Sequence, residues 1–268
     1  SPAIIAGRLW GAKVVARCGM VYGEGAETLR KTGGRARKRT RVEKWTLKHA
    51  DKCLIPTEEL ADWVVQNYGI ERNKIVVIPN FVDTKLFKPD IEAKKDTDVI
   101  CIGRLVPKKR HHLLLEALLG TKLKIHIIGD GKLKERLTDF AKNNNLNLTM
   151  TPRVENSLLP PCLNRSKIYL NVAQWEGHPK ALIEAMACGC ACIGAKSPGI
   201  QNLIIDGKTG ILVEPDPQQI HNVVKMLLDN KELRKHLGKN ARDYAVKHLS
   251  LDKVFEQYKK VFKDVLAK

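Results

Sequence analysis

The chain has 268 residues, enough for one large or two modest domains with a full core. Its 47 Lys and Arg outnumber 29 Asp and Glu, giving a formal charge of +18 whose field favours a polyanion. Aromatics are only 5% and no base-stacking or recognition-helix pattern stands out, which excludes nucleic acid and leaves an anionic membrane surface or plain surface basicity.

In chain order, Ser1–Pro2–Ala3–Ile4–Ile5 reads as the middle of a segment, without a signal-peptide pattern. Lys13–Arg17 reads as a strand and Cys18–Gly25 as a glycine-containing loop. Between Arg30 and Lys48, nine basic residues are answered only by Glu43. That run is either a solvated face or a basic arm or helix lying on anionic lipid, each residue worth about 1 kcal/mol there. Trp45 and Leu47 give it a thin apolar side, suited to peripheral contact and not to insertion. No apolar run approaches the ~18–20 residues that span a bilayer.

Ala50–Thr57 reads as a strand ending at a cap, from which Thr57, Glu58 and Glu59 start a helix running to about Asn67 and ended by Gly69. Lys74–Ile78 is the next strand, closed by Pro79–Asn80, and the polar, patternless Asp90–Asp96 is placed as the linker. Strands and helices then alternate: strand 98–102, helix 111–119, strand 122–128, helix 132–143, strand 147–151, short helix 157–164 and strand 168–173. Strands at 191–194 and 210–213 and helices at 217–228, 231–247 and 251–266 complete the series. Such alternation with apolar strands predicts a parallel, doubly wound α/β sheet. Seven cysteines, including the alternating Cys188, Cys190 and Cys192, lack zinc-site spacing and read as buried thiols of a reducing, cytoplasmic compartment.

The most informative stretch is Trp175–Gly189. Glu176 opens it in a Gly/Pro-containing turn; Ala181, Leu182, Ala185 and Met186 repeat at helical spacing, and Gly189 stands just past the end. Strand-to-helix loops of this kind carry the ligand in open α/β sheets, and the free N–H groups from Lys180 to Ile183 suit a phosphate. Glu176 and Glu184, eight positions apart, read either as a capping acid and a solvated acid or as carboxylates converging on one polyhydroxylated ligand.

Gly103–Arg104–Leu105 with Lys109 follows the strand at 98–102. An Arg that chelates bidentately and a Lys acting as a point charge suit a diphosphate, the alternative being ordinary surface basicity. Gly129–Asp130–Gly131 lacks the third glycine of a dinucleotide loop, because position 134 is Lys, and reads as a tight turn. His178 reads as a packing or hydrogen-bonding residue, and His111 and His112 as surface residues opening a helix. No acidic metal pair is visible.

Glu176, seven residues, Glu184 and then Ala185–Met186–Ala187–Cys188–Gly189 resemble the signature of the family 4 (group 1) nucleotide-sugar glycosyltransferases. The Gly-Arg-Leu with its Lys five residues after the Arg, the Gly-x-Gly turn, and Val77–Asp83 with Phe87 and Pro89 resemble the same family, which mostly carries Gly where this chain has Phe81. The likeness covers Lys44–Pro89 moderately and Val99–Pro215 strongly. It implies the α/β GT-B type: two Rossmann-like domains with a cleft between them, the N-terminal one partial (residues 1–90) and the C-terminal one complete (residues 91–250). A last helix, residues 251–268, crosses back to the first domain.

What the resemblance implies for the site is specific. Gly103, Arg104 and Lys109 meet the diphosphate, Glu184 the ribose, and Arg153 and Val154 cradle the base through backbone groups. Glu176, with backbone from Gly177, His178, Lys180, Ala181 and Leu182, holds the transferred sugar. The implied reaction is transfer with retention and without metal or other cofactor, from a nucleotide-diphosphate sugar to a lipid-linked or polysaccharide acceptor. A non-catalytic nucleotide-sugar-binding module, or the donor half of a two-chain enzyme, is the alternative. The chain departs from the family in its first domain, where the opening strand and its Gly-rich loop are absent and the position of a common histidine falls at Cys18, after Arg17. A fragment, a reduced natural form and a subunit completed by a second chain all fit that departure. The expected location is cytoplasmic, peripheral on the inner face of the membrane.

Overall fold

The computed structural model describes residues 2–28 and 33–267, so Arg30 and Lys31 of the basic run lie outside the described residues. The chain divides into two compact units. The first comprises Ser1–Asn80, Trp175–His178 and Leu251–Lys268, and the second Phe81–Gln174 and Pro179–Ser250.

The first unit runs α1 (Pro2–Leu9), β1 (Val15–Arg17), α2 (Tyr22–Thr28), α3 (Gly34–His49), β2 (Lys52–Ile55), α4 (Glu58–Tyr68) and β3 (Ile75–Val77). Its three strands are parallel in the order β1-β2-β3, over a core that includes Ile4, Leu47, Cys53, Ile55, Val64 and Tyr68. The Thr57 hydroxyl caps α4 by accepting the Leu60 N–H (3.2 Å), and Gly69 ends the helix at φ 64°.

The opening residues, given no element in the sequence, form helix α1, whose Ile4 is buried. The loop expected at Cys18–Gly25 is corrected in its second half: it ends at Val21, and helix α2 starts at Tyr22 for a reason that lies further along the chain. Glu43, the single acid of the basic run, accepts the Tyr22 and Gly23 N–H groups (2.8 and 3.1 Å) and also the Tyr68 hydroxyl (2.6 Å). It thereby caps α2 from another helix, satisfying donors that a helix start leaves open. The glycines that signal a loop serve packing instead: a Cβ on Gly23 would overlap the Tyr68 hydroxyl, and one on Gly25 would lie 2.5 Å from the Trp175 ring.

The second unit runs β4 (Thr97–Ile102), α5 (His111–Ala117), β5 (Ile125–Ile128), α6 (Lys134–Asn143), β6 (Leu148–Thr151), α7 (Leu159–Asn164), β7 (Ser166–Asn171), α8 (Lys180–Ala187), β8 (Ala191–Ala195), β9 (Ile211–Val213), α9 (Pro217–Asp229) and α10 (Lys231–Leu249). All six strands are parallel in the order β6-β5-β4-β7-β8-β9. Successive strand residues feed opposite faces: Val99, Cys101, Ile168, Leu170 and Ile193 enter one core, and Ile100, Tyr169 and Cys192 the other. Burial on both faces is why these strands read as continuous apolar runs.

The linker is also corrected. Asp90–Asp96 is pinned within the second unit: the Asp90 N–H donates to Asn164 Oδ1 (3.0 Å), the Lys95 ammonium to the Ser166 carbonyl (2.9 Å), and Arg165 Nε to Asp96 (3.1 Å). The boundary falls at Asn80/Phe81, because Val82 and Phe87 are buried in the second unit's core and Arg242 donates to the Phe87 carbonyl (2.6 Å). The last helix, α11 (Leu251–Leu266), buries Val254, Val261 and Val265 as part of the first unit.

Candidate functional site

In the second unit the strand order reverses between β4, the first strand of that unit in sequence, and β7, the fourth. The loops at the carboxyl ends of these two neighbours flank the topological switch point, where doubly wound sheets bind ligands. They are the loop carrying Gly103, Arg104 and Lys109 and the loop leading to α8.

Hydrogen bonds stitch the neighbouring loops in series. The Gly103 N–H donates to the Ile128 carbonyl (2.9 Å), and the Leu105 N–H to that of Asp130 (2.8 Å). Asp130 Oδ2 in turn accepts the Arg153 N–H (2.7 Å). Gly129 and Gly131 both have φ 154°, and a Cβ on either would overlap a carbonyl oxygen of the Gly103–Leu105 segment. The Gly-x-Gly turn is therefore a brace for the cationic loop, in keeping with the tight-turn reading. Lys109 ends a single 3-10 turn, Pro107–Lys109, and its ammonium lies 3.3 Å from where a Gly103 Cβ would stand. Arg104 is exposed, as is Arg153, while Val154 packs against the core.

Helix α8 begins with Pro179 as N-cap, without a side-chain cap and without an acid in its first turn. The amides of Lys180, Ala181 and Leu182 occupy the first turn, where no intrahelical acceptor exists. Lys180 adds a positive charge at an already positive helix end, its ammonium 5.6 Å from the centre of the Phe81 ring. One turn in, Glu184 is only 4% exposed, so it is not a solvated acid. Its Oε1 accepts the Asn156 side-chain amide (2.8 Å), a partner that carries no signal in the sequence. Burial pushes the Glu184 carboxyl pKa up, opposed by the Asn156 bond and by Lys180. Gly189, at φ 71°, follows the helix end.

Trp175–His178 belongs to the first unit. Gly177 lies so close to the loop after β1 that a Cβ would stand 2.5 Å from the Gly19 carbonyl. Glu176 is buried. His178 is a hydrogen-bonding residue: Nδ1 accepts the Asn80 main-chain N–H (3.2 Å), and its carbonyl accepts Asn80 Nδ2 (2.6 Å). Burial, then the Arg17 charge, pushes its pKa down to about 4. His111, expected at the surface, is 1% exposed beside the buried Leu114 and Leu115, since the first residue of α5 turns toward the core. Burial, then Lys109, takes its pKa down to about 4. His112 is exposed. Among the described residues no group of three or more His, Cys, Asp or Glu is placed to hold a metal ion, and no helix is long and apolar enough to cross a membrane.

A doubly wound domain with a cationic loop and an acid-free helix start at its switch point, in one chain with a second parallel α/β unit, defines the GT-B type. The chain belongs to the group 1 glycosyltransferases: the family model described as Glycosyl transferases group 1 matches residues 82–244, and Glycosyltransferase Family 4 matches residues 2–86. It is 31% identical to N-acetylgalactosamine-N,N'-diacetylbacillosaminyl-diphospho-undecaprenol 4-alpha-N-acetylgalactosaminyltransferase of Campylobacter jejuni, over 73% of this chain and 56% of that enzyme. An uncharacterized glycosyltransferase of Methanocaldococcus jannaschii, MJ1178, is 25% identical over 83% of this chain and 62% of its own length. The chain thus spans about three fifths of the length of these curated relatives. A crystal structure of Anabaena Alr3699/HepE in complex with UDP-glucose shares the fold with a TM-score of 0.85 at 18% identity, covering 98% of this chain and 75% of the other.

Proposed function

We propose that this chain binds a nucleotide-diphosphate sugar and transfers its sugar, with retention at the anomeric carbon and without a bound metal, to a lipid-linked or polysaccharide acceptor. The observation that carries this reading is the pairing, at one switch point, of the Arg104/Lys109 loop with a helix start that has neither acid nor side-chain cap. A diphosphate would meet Arg104 and Lys109 on one side and the amides of Lys180–Leu182 on the other. The same donors would stabilise charge developing on the leaving nucleotide. Glu184 would accept from ribose hydroxyls, with Asn156 fixing its free rotation. The backbone at Arg153 and Val154 would border the base, while Glu176 with the amides of Gly177 and His178 would hold the sugar. The UDP-glucose complex of the fold relative supports a nucleotide-sugar donor, and the diphospho-undecaprenol in the Campylobacter enzyme's name supports a lipid-linked acceptor. In the same reading the basic face of α3 rests on the anionic inner surface of the membrane.

Calorimetry with UDP-, GDP- and ADP-sugars tests the donor. Arg104→Ala is expected to weaken binding by about 1.5–3 kcal/mol, the scale of a lost charge-assisted hydrogen bond. EDTA is expected to leave binding intact. Unchanged affinity in the variant would overturn the phosphate assignment, and donor binding without any transfer would favour a binding module.

A further inference from the structure

Three residues from separate stretches of the first unit meet at the carboxyl end of its sheet. Arg17 ends β1, Asn80 lies just beyond β3, and His178 closes the Trp175–His178 loop. Asn80 is 8% exposed and turns its main-chain N–H and both polar ends of its side chain to this trio. Its main-chain N–H donates to His178 Nδ1 (3.2 Å), its Nδ2 to the His178 carbonyl (2.6 Å), and its Oδ1 accepts from Arg17 Nη2 (2.7 Å). The arrangement admits one orientation of the amide, because a guanidinium only donates and a carbonyl only accepts. It also admits one neutral tautomer of the ring. A backbone N–H cannot accept, so His178 Nδ1 is the acceptor and the proton resides on Nε2.

Several observations point the same way. His178 is 7% exposed, and its low pKa keeps the ring neutral at physiological pH. The Arg17 guanidinium is the charge that bears on it, and Arg17 is itself steadied 5.9 Å from the centre of the Tyr258 ring on α11. Glu176 stands two residues before His178, on a loop backed against Gly19 by a glycine that leaves no room for a side chain. The loop that bears Glu176 is thus held at its end by the Asn80 side chain.

We propose that Asn80 is a positioning residue: it fixes the Glu176–His178 backbone and presents His178 as a neutral Nε2–H donor, with Arg17 orienting the Asn80 amide. The oxygen that receives this donor is a hydroxyl of the transferred sugar, a step that rests on the glycosyltransferase reading above. A neutral N–H matches an uncharged hydroxyl, which can accept it while donating to a carboxylate elsewhere.

The test uses the whole chain labelled with 15N-histidine. Long-range proton–nitrogen spectra, assigned by the signal lost in His178→Gln, are expected to show a ring protonated on Nε2 that titrates near 4. Arg17→Gln is expected to raise that titration, since a positive neighbour is removed. Asn80→Asp keeps the main-chain bond but replaces the Nδ2 donor with a carboxylate. It is expected to raise the titration further and to speed hydrogen exchange of the 174–179 peptide by about tenfold or more. Asn80→Ala provides the same loosening without the new charge; in both, affinity for the nucleoside diphosphate alone is expected to stay within about twofold while the extra affinity for its sugar conjugate is lost, with folding checked by circular dichroism. A proton on Nδ1, a wild-type titration near 6.5, or unchanged exchange in both Asn80 variants would overturn the positioning role. Failure of every nucleotide sugar to bind the wild type would instead overturn the sugar assignment and the reading beneath it, and the histidine spectrum would still decide the rest.

Discussion

Glu184 occupies a position where its charge is costly. Burial raises its carboxyl pKa above the ordinary 4.5, so the folded protein keeps a proton over a range in which the unfolded chain has lost it. Its contribution to stability is full below the ordinary value and declines as pH rises through the folded one. Glu184→Gln, which can still accept from Asn156, is therefore expected to melt like the wild type at pH 4 and at higher temperature at pH 7.5. The same variant should bind nucleotide sugar more weakly, and a denaturation series across pH with parallel calorimetry checks both. Arg110 presents a different cost: it joins the turn bearing Lys109 to α5 at φ 50°. The left-handed region penalises a Cβ by about 1–2 kcal/mol, and glycine returns part of that as unfolded-chain entropy. Arg110→Gly is expected to stabilise the protein by about 0.5–1 kcal/mol in thermal melts, without changing donor affinity.

At the scale of elements, the brace between loops makes a sharper demand. Gly129→Ala would push a methyl group into the Gly103 carbonyl, backbone against backbone. It is expected to cost several kcal/mol of stability and to displace the Arg104 loop, read as a lower melting temperature together with lost nucleotide-sugar binding. Elements with local signals were legible in the sequence: the Thr57 cap and Gly69 stop framed α4, and unbroken apolar runs marked β4, β7 and β8. What escaped was set at a distance. Helix α2 owes its start to Glu43 on another helix, and its glycines to a tyrosine and a tryptophan elsewhere in the chain. His111 looked like a surface residue because its neighbours are basic, and only tertiary packing turns it inward. In the candidate site, Arg104, Lys109 and Glu184 stood out through the resemblance to a family signature, their spacing alone leaving bland readings open, whereas Asn156 and Asn80 are polar residues whose partners lie 28 and 98 positions away. Helix α3 kept both of its readings, its basic side exposed and Leu47 buried. Neutralising Arg35, Arg37, Lys38 and Arg39 together should abolish salt-sensitive binding to anionic liposomes, measured by cosedimentation; equal binding to neutral liposomes would argue against a charged contact.

At the scale of the molecule, the two units differ in how the chain composes them. The second is cut once, by four residues, whereas the first is gathered from three stretches: residues 1–80, 175–178 and 251–268. Sequence distance becomes time on the ribosome, where domains ordinarily fold in the order they emerge. Here the order is inverted. The early strands β1 to β3 must wait for Trp175, which fills the space beside Gly25, and for the valines of α11, while the segment from Phe81 onward can settle before synthesis ends. Stalled nascent chains truncated at Ser250 should resist protease across the second unit and remain cleavable within the first eighty residues. Residues 1–80 are thus expected to become native after the second unit, and a stop after Ser250 would spare the second unit while leaving the first unfinished.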